Sequence, residues 1–228
     1  MQREYIKKYS TVLKRDMEML RHGFYGKPLI MLGTSKSKFY DIENNGVLDI
    51  LENRINAGEF QIFSLQSTDE EHLYSSNFIS KIKKYDLLLD FYEYITKEVF
   101  SFIRDEIKSH EKKTIIGFSL GGFHALNIGL RYSEDVAKVI TLGGAAAVGN
   151  YIHDPISTIK TCYENNISIL PTLKEIKFIL TCGNKDFLLS QNAEIYNTLK
   201  KFGCDSNLIT IDGAHDWQTW KTLLTTVL

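Results

Sequence analysis

Three cysteines and three prolines are few for 228 residues, and no apolar run approaches the length of a membrane span. Cys162, Cys182 and Cys204 are odd in number and far apart, which excludes a disulfide framework and any close-spaced zinc motif. Cys182 lies in an apolar stretch and reads as core. Charge of one sign is also missing: 27 basic residues stand against 28 acidic ones, with no long block of either. That balance argues against a nucleic-acid surface. The N-terminal residues Met1-Gln2-Arg3-Glu4-Tyr5 form no apolar signal core, so a cytoplasmic, reducing location is the expectation. Internal repeats, low-complexity tracts and Pro/Gly linkers are absent too, and residues 1–228 read as one α/β domain.

What is present is an alternation of two periods. Apolar segments at 28–33, 60–65, 113–118, 137–142 and 176–182 read as buried strands, with 206–211 a weaker sixth. Helical patterns lie between them, which predicts a mostly parallel central sheet with helices on both faces. The clearest helix spans 86–109, with Leu88, Tyr92, Ile95, Val99, Phe102 and Ile107 on one stripe. Residues 9–20 alternate in part and predict one or two antiparallel edge strands. Residues 149–173 fit neither period and carry two of the three prolines; they read as a short cap in which Tyr151 and His153 would touch substrate.

The decisive motif is Gly117-Phe118-Ser119-Leu120-Gly121, entered from the β-branched run Thr114-Ile115-Ile116 and followed by a helical pattern over 123–130. A strand running through G-x-S-x-G into a helix is a nucleophile elbow. The serine must sit on a strained turn that lifts its hydroxyl off the sheet, and the flanking glycines remove Cβ atoms that would collide there.

A serine hydroxyl needs a base to take its proton and a third group to orient that base. In hydrolases with this elbow the acid and then the histidine follow the serine. His124, His153 and His215 are the candidates. His124 falls in the helix after the elbow and His153 in the cap, whereas His215 sits after the last strand and just before a C-terminal helix. Asp186 ends the turn Gly183-Asn184-Lys185-Asp186 after a buried strand and is the expected acid. Asp212, Asp216 and Asp154 are its rivals. The oxyanion requires two N–H donors: Leu120, at the start of the helix, and Thr34 or Ser35 in the loop after the first buried strand. That loop holds two lysines but lacks the phosphate-cradling G-x-x-x-x-G-K-[ST] pattern.

With these partners in place, the chain resembles the α/β-hydrolase superfamily. Within it, the likeness is to the esterases related to esterase D, enterochelin esterase and the antigen 85 mycolyltransferases. The likeness rests on Gly117-Phe118-Ser119-Leu120-Gly121-Gly122, on Gly183-Asn184-Lys185-Asp186 and on His215-Asp216-Trp217-Gln218-Thr219-Trp220, similar to an H-D-x-x-x-W ending. Thr34-Ser35 with Phe39, and the S-x-D-x-E-x-x-Y stretch from Ser67 to Tyr74, extend it. Leu32-Gly33 stands where many relatives carry His-Gly. The resemblance implies a serine esterase acting on a small-molecule ester, with no metal or organic cofactor, and the two dozen residues available for a cap at 149–173 predict a shallow pocket and a short acyl group. A thioesterase or acyltransferase would use the same residues, and a non-catalytic binding protein would be expected to lack one of them.

Overall fold

The computed structural model describes residues 1–76, 80–146, 148, 155, 157 and 170–228. The chain divides into two compact units, Met1–Lys113 and Thr114–Leu228. The segment 149–173, expected from the sequence to form a cap with Tyr151 and His153, lies almost entirely outside the described residues.

The first unit carries β1 (Arg3–Ser10), β2 (Arg15–His22), β3 (Lys27–Leu32) and β4 (Phe60–Leu65) in the order β1-β2-β4-β3. β1 and β2 form an antiparallel hairpin with Arg3 opposite His22 and Ser10 opposite Arg15. β2 runs antiparallel to β4, and β4 parallel to β3 with Leu65 beside Leu32. The alternation at 9–20 therefore straddles a turn between two strands, which bends because Ser10 Oγ accepts from Leu13 N and Lys14 takes a left-handed conformation. Every residue of β4 is buried, the mark of a strand covered on both faces, whereas β1 is mostly exposed and charged.

The long helix begins earlier than its periodicity predicts. Ser80 Oγ accepts from Lys83 N, and α3 (Lys81–Glu93) passes through a π-helical stretch, Tyr94–Val99, into α4 (Phe100–Asp105). α1 (Asp41–Asn44) and α2 (Glu52–Asn56) precede it. A π turn holds more than four residues, so it rotates the buried stripe. Phe100 and Ile103 are buried after it, and Phe102 and Ile107, expected on that stripe, are only half-buried.

The second unit carries β5 (Lys113–Phe118), β6 (Val136–Leu142), β7 (Lys177–Gly183) and β8 (Ser206–Ile211), in sequential order. β6 pairs parallel with β7, and β7 with β8. Each expected strand is found within a residue of its predicted ends. α5 (Leu120–Arg131) is buried from Leu120 to Leu130, as a helix covered all round must be. α6 (Leu170–Leu173), α7 (Leu189–Lys201) and α8 (Trp217–Val227) are further helices among the described residues of this unit. Among the described residues no helix is long and apolar enough to cross a membrane.

Candidate active site

β5 ends at Phe118, and Ser119 turns the chain with φ 53° and ψ −115°, outside the regions that a non-glycine residue ordinarily occupies. Neighbouring strands and the helix hold the strain in place. Ser119 N donates to Leu142 O at 3.0 Å, while Ser119 O accepts from Gly122 N at 2.9 Å and Ala145 N at 3.0 Å. Glycine at 117 is compulsory, because a Cβ there would overlap the Gly121 carbonyl. Leu120 is the first residue of α5, so its N–H has no acceptor within the helix and sits at the positive end of the helix dipole.

Ser119 Oγ lies 2.9 Å from His215 Nε2, and His215 Nδ1 lies 2.8 Å from Asp186 Oδ2. The structure thus brings together Ser119, His215 and Asp186, each from a different loop of the second unit. The Asp186 side chain is fully buried and its other oxygen accepts from Leu188 N at 2.8 Å. One carboxylate oxygen is therefore spent on its own turn and the other on the imidazole, which fixes the Nδ1–H tautomer and leaves Nε2 as acceptor for the serine proton.

The two loops that carry the acid and the histidine are zipped to one another. Asn184 N donates to Ile211 O at 2.8 Å, Lys185 N to Gly213 O at 2.9 Å and Gly213 N to Asn184 Oδ1 at 3.3 Å. Asp216 caps α8 by accepting from Thr219 N at 2.8 Å, and Thr219 Oγ1 accepts from Ala214 N at 3.1 Å. This holds the backbone on both sides of His215.

The rival acids are placed elsewhere. Asp212 pairs with Lys185 at 2.8 Å in solvent, and that contact holds its carboxyl below the usual range. Asp216 is held low by the Thr219 backbone N–H that it caps. Asp154 lies outside the described residues. His124 is buried within α5. The Cys182 thiol is pushed up to about 12 by burial and by the Asp186 charge, so it stays protonated and unreactive. Among the described residues, no three His, Cys, Asp or Glu side chains converge as metal ligands would.

In the first unit, the loop after β3 is held by the 67–74 segment. Lys36 adopts φ 58°, its N–H donates to Asp69 Oδ2 at 2.8 Å, and Ser35 Oγ and the Tyr74 hydroxyl are 2.9 Å apart. Ser67 N donates to Ser37 O at 3.0 Å. The S-x-D-x-E-x-x-Y stretch is thus the support of the loop that contains Thr34 and Ser35.

Sequence reasoning passed over Phe187 and Gly143. The Phe187 ring is 73% exposed and stands 4.5 Å from the His215 ring. Gly143, at the end of β6, has φ 56° and borders both Asp186 and His215. Phe187 had one available signal, its position next to the acid.

The family described as "Putative esterase" matches residues 66–228, which is most of the chain. The chain belongs to this esterase family. A curated relative, the acetyl esterase of Caldicellulosiruptor saccharolyticus, is 28% identical over 158 residues, covering 58% of this chain and 59% of its own. The match therefore spans little more than half of that relative's length. Among solved structures, a ferulic acid esterase superposes with a TM-score of 0.77 at 20% identity, covering 100% of this chain and 97% of its own. The S-formylglutathione hydrolase of Staphylococcus aureus gives 0.74 at 15% identity, covering 99% and 97%. These likenesses establish the α/β-hydrolase fold.

Proposed function

We propose that this esterase-family chain hydrolyses carboxylic esters through an acyl-serine intermediate. The observation that carries the reading is the unbroken chain of contacts from Ser119 Oγ through His215 to buried Asp186. Ser119 Oγ attacks the ester carbonyl carbon as its proton passes to His215 Nε2. Asp186 holds the imidazolium that forms. Collapse of the tetrahedral intermediate expels the alcohol, which leaves with the proton from Nε2. Water then attacks the acyl-serine by the same route and releases the acid and the free serine. Leu120 N–H is the first oxyanion donor. The second is assigned, on sequence alone, to Thr34 or Ser35.

The substrate reading is a short acyl group. It rests on the two dozen residues available for a cap at 149–173, where the sequence offers Tyr151 and His153 as candidate substrate contacts, and on the similarity to an acetyl esterase. The test is labelling by a fluorophosphonate followed by kcat/KM across p-nitrophenyl esters of rising acyl length. Labelling at Ser119 with a maximum between acetyl and about hexanoyl is expected. Each methylene a deep pocket buries would add about 0.8 kcal/mol, so a value still climbing past about ten carbons rejects the short-acyl reading. A thioester or a second alcohol that outcompetes both ester and water would move the assignment to a thioesterase or acyltransferase.

A further inference from the structure

Trp220 is the last residue of the His215-Asp216-x-x-x-Trp ending, and the chemistry above makes no use of it. It is 3% exposed, and its indole Nε1, a donor only, has no hydrogen-bond partner among the described residues. A buried donor left unpaired costs stability, so its retention calls for an explanation. Its surroundings supply one. The Trp220 ring meets the His215 ring edge-on, with centroids 4.9 Å apart and planes at 90°. Phe118, the residue before the serine, and Trp217 pack on it from the other sides, with centroids 6.3 Å and 5.1 Å away.

Gly143 shows what lies beside the indole N–H. A Cβ on that residue would stand 2.5 Å from Trp220 Nε1, 2.8 Å from Asp186 Oδ2 and 3.3 Å from His215 Nδ1. The indole nitrogen, the acid and the base therefore surround one point, which the missing side chain of a left-handed glycine keeps clear. Thr181 O accepts from Gly143 N at 2.8 Å and pins that glycine to β7, the strand that leads to Asp186.

We propose that Trp220 is a positioning residue for the acid–base pair, its ring setting the plane of the imidazole and its N–H dipole acting on the Asp186–His215 contact across the gap at Gly143. This rests on His215 being the base. On this proposal the N–H, beside the same point as Asp186 Oδ2 and His215 Nδ1, presents positive charge to both partners. It favours the carboxylate, weakens its pull on the imidazole proton and disfavours the imidazolium. Within the second unit, the ionisable groups around the pair include Asp216, adjacent to His215 in sequence, Lys185, adjacent to Asp186 and paired with Asp212, and the protonated Cys182 thiol beside Asp186. Altering Trp220 leaves each of these groups in place, so the indole's contribution can be isolated.

The experiment compares Trp220→Phe, and benzothienylalanine incorporated at 220, with the native enzyme on a p-nitrophenyl ester. Phenylalanine keeps a ring and loses the N–H; benzothienylalanine keeps the whole shape and replaces N–H by sulfur. For Trp220→Phe, which loses part of the ring against His215, kcat should fall about five- to tenfold with KM little changed, whereas benzothienylalanine, which keeps that ring, should hold kcat within about twofold of native. For both, the acidic limb of the kcat/KM profile should move about half a unit to higher pH, because imidazolium is no longer disfavoured. A melting temperature close to native for the isosteric variant shows that packing is kept. A profile superimposable on the native one in that variant overturns the proposal, as does a shift to lower pH. Loss of native activity on Ser119→Ala, with an acidic limb in the native profile, tests the underlying mechanism separately. If that mechanism holds and the isosteric variant keeps the native pH profile, this inference alone fails.

Discussion

Each unit contains a histidine paired with a carboxylate, and the two pairs sit in different surroundings. In the first unit His22 Nε2 lies 3.2 Å from Glu43 Oε1; in the second His215 Nδ1 lies 2.8 Å from Asp186 Oδ2. Glu43 is shared. Arg3 Nε and Nη2 take its two oxygens at 2.8 Å and 3.0 Å, and that contact is the main cause of its lowered pKa. Burial pushes His22 down despite the neighbouring carboxylate, and its Nδ1 has no hydrogen-bond partner among the described residues. Asp186 gives Oδ1 to Leu188 N and Oδ2 to His215, whose remaining nitrogen faces a serine hydroxyl, and the histidine side chain stays 17% exposed. A histidine–carboxylate pair becomes a base only when the carboxylate has no stronger partner and the far nitrogen meets a proton worth taking.

The largest effects break the second pair. Ser119→Ala or His215→Ala should each lower kcat on a p-nitrophenyl ester by about 10⁶, since nucleophile and base act as one unit. Neither hydroxyl nor imidazole fills the core, so circular dichroism and melting temperature should stay near native. Near-native rates in either variant would remove the second pair's claim to catalysis. Next comes Asp186→Asn, which deletes no reacting atom but offers an amide to the wrong tautomer; about 10⁴ in kcat is expected. The contrast is Glu43→Gln, together with Asp212→Asn and Asp216→Asn, each of which should leave kcat within a few-fold. A crippling effect from any of these three would relocate the acid.

The comparison also explains what could be read in advance. Ser119, Asp186 and His215 were legible because each sits at a strand end, where apolar runs give way to turn chemistry at fixed intervals. The strands were legible because β4 and β7 are buried on both faces and so read as continuous apolar runs. The helix over 81–105 was misphased, since a π turn leaves no mark in a 3.6-residue period. Gly143 was illegible as part of the site. Its role is an absence of atoms at a point that only the fold brings beside Asp186 and His215. The pairing of His22 with Glu43 was equally hidden, being a contact between a strand and a short helix with no motif of its own.

The smallest effect sharpens the first pair and concerns stability. Burial holds His22 below its ordinary value near 6.5, so the unfolded chain binds this proton at a higher pH than the folded chain does. The folded state is therefore favoured fully above about 6.5. That advantage is lost as pH falls from there toward the lowered folded value, where His22 must charge inside the unit. Retention of the Glu43 contact softens the loss without abolishing it, because Arg3 already engages that carboxylate. His22→Gln, which keeps an amide donor near Glu43 and cannot charge, should flatten this part of the profile. Melting temperatures at pH 7.5 and pH 5 should differ less in the variant than in the native protein, while ester hydrolysis at pH 7.5 stays unchanged. An equal drop in both proteins would mean that His22 titrates with no difference between folded and unfolded chains. A large loss of activity would mean that the first pair reaches the chemistry after all.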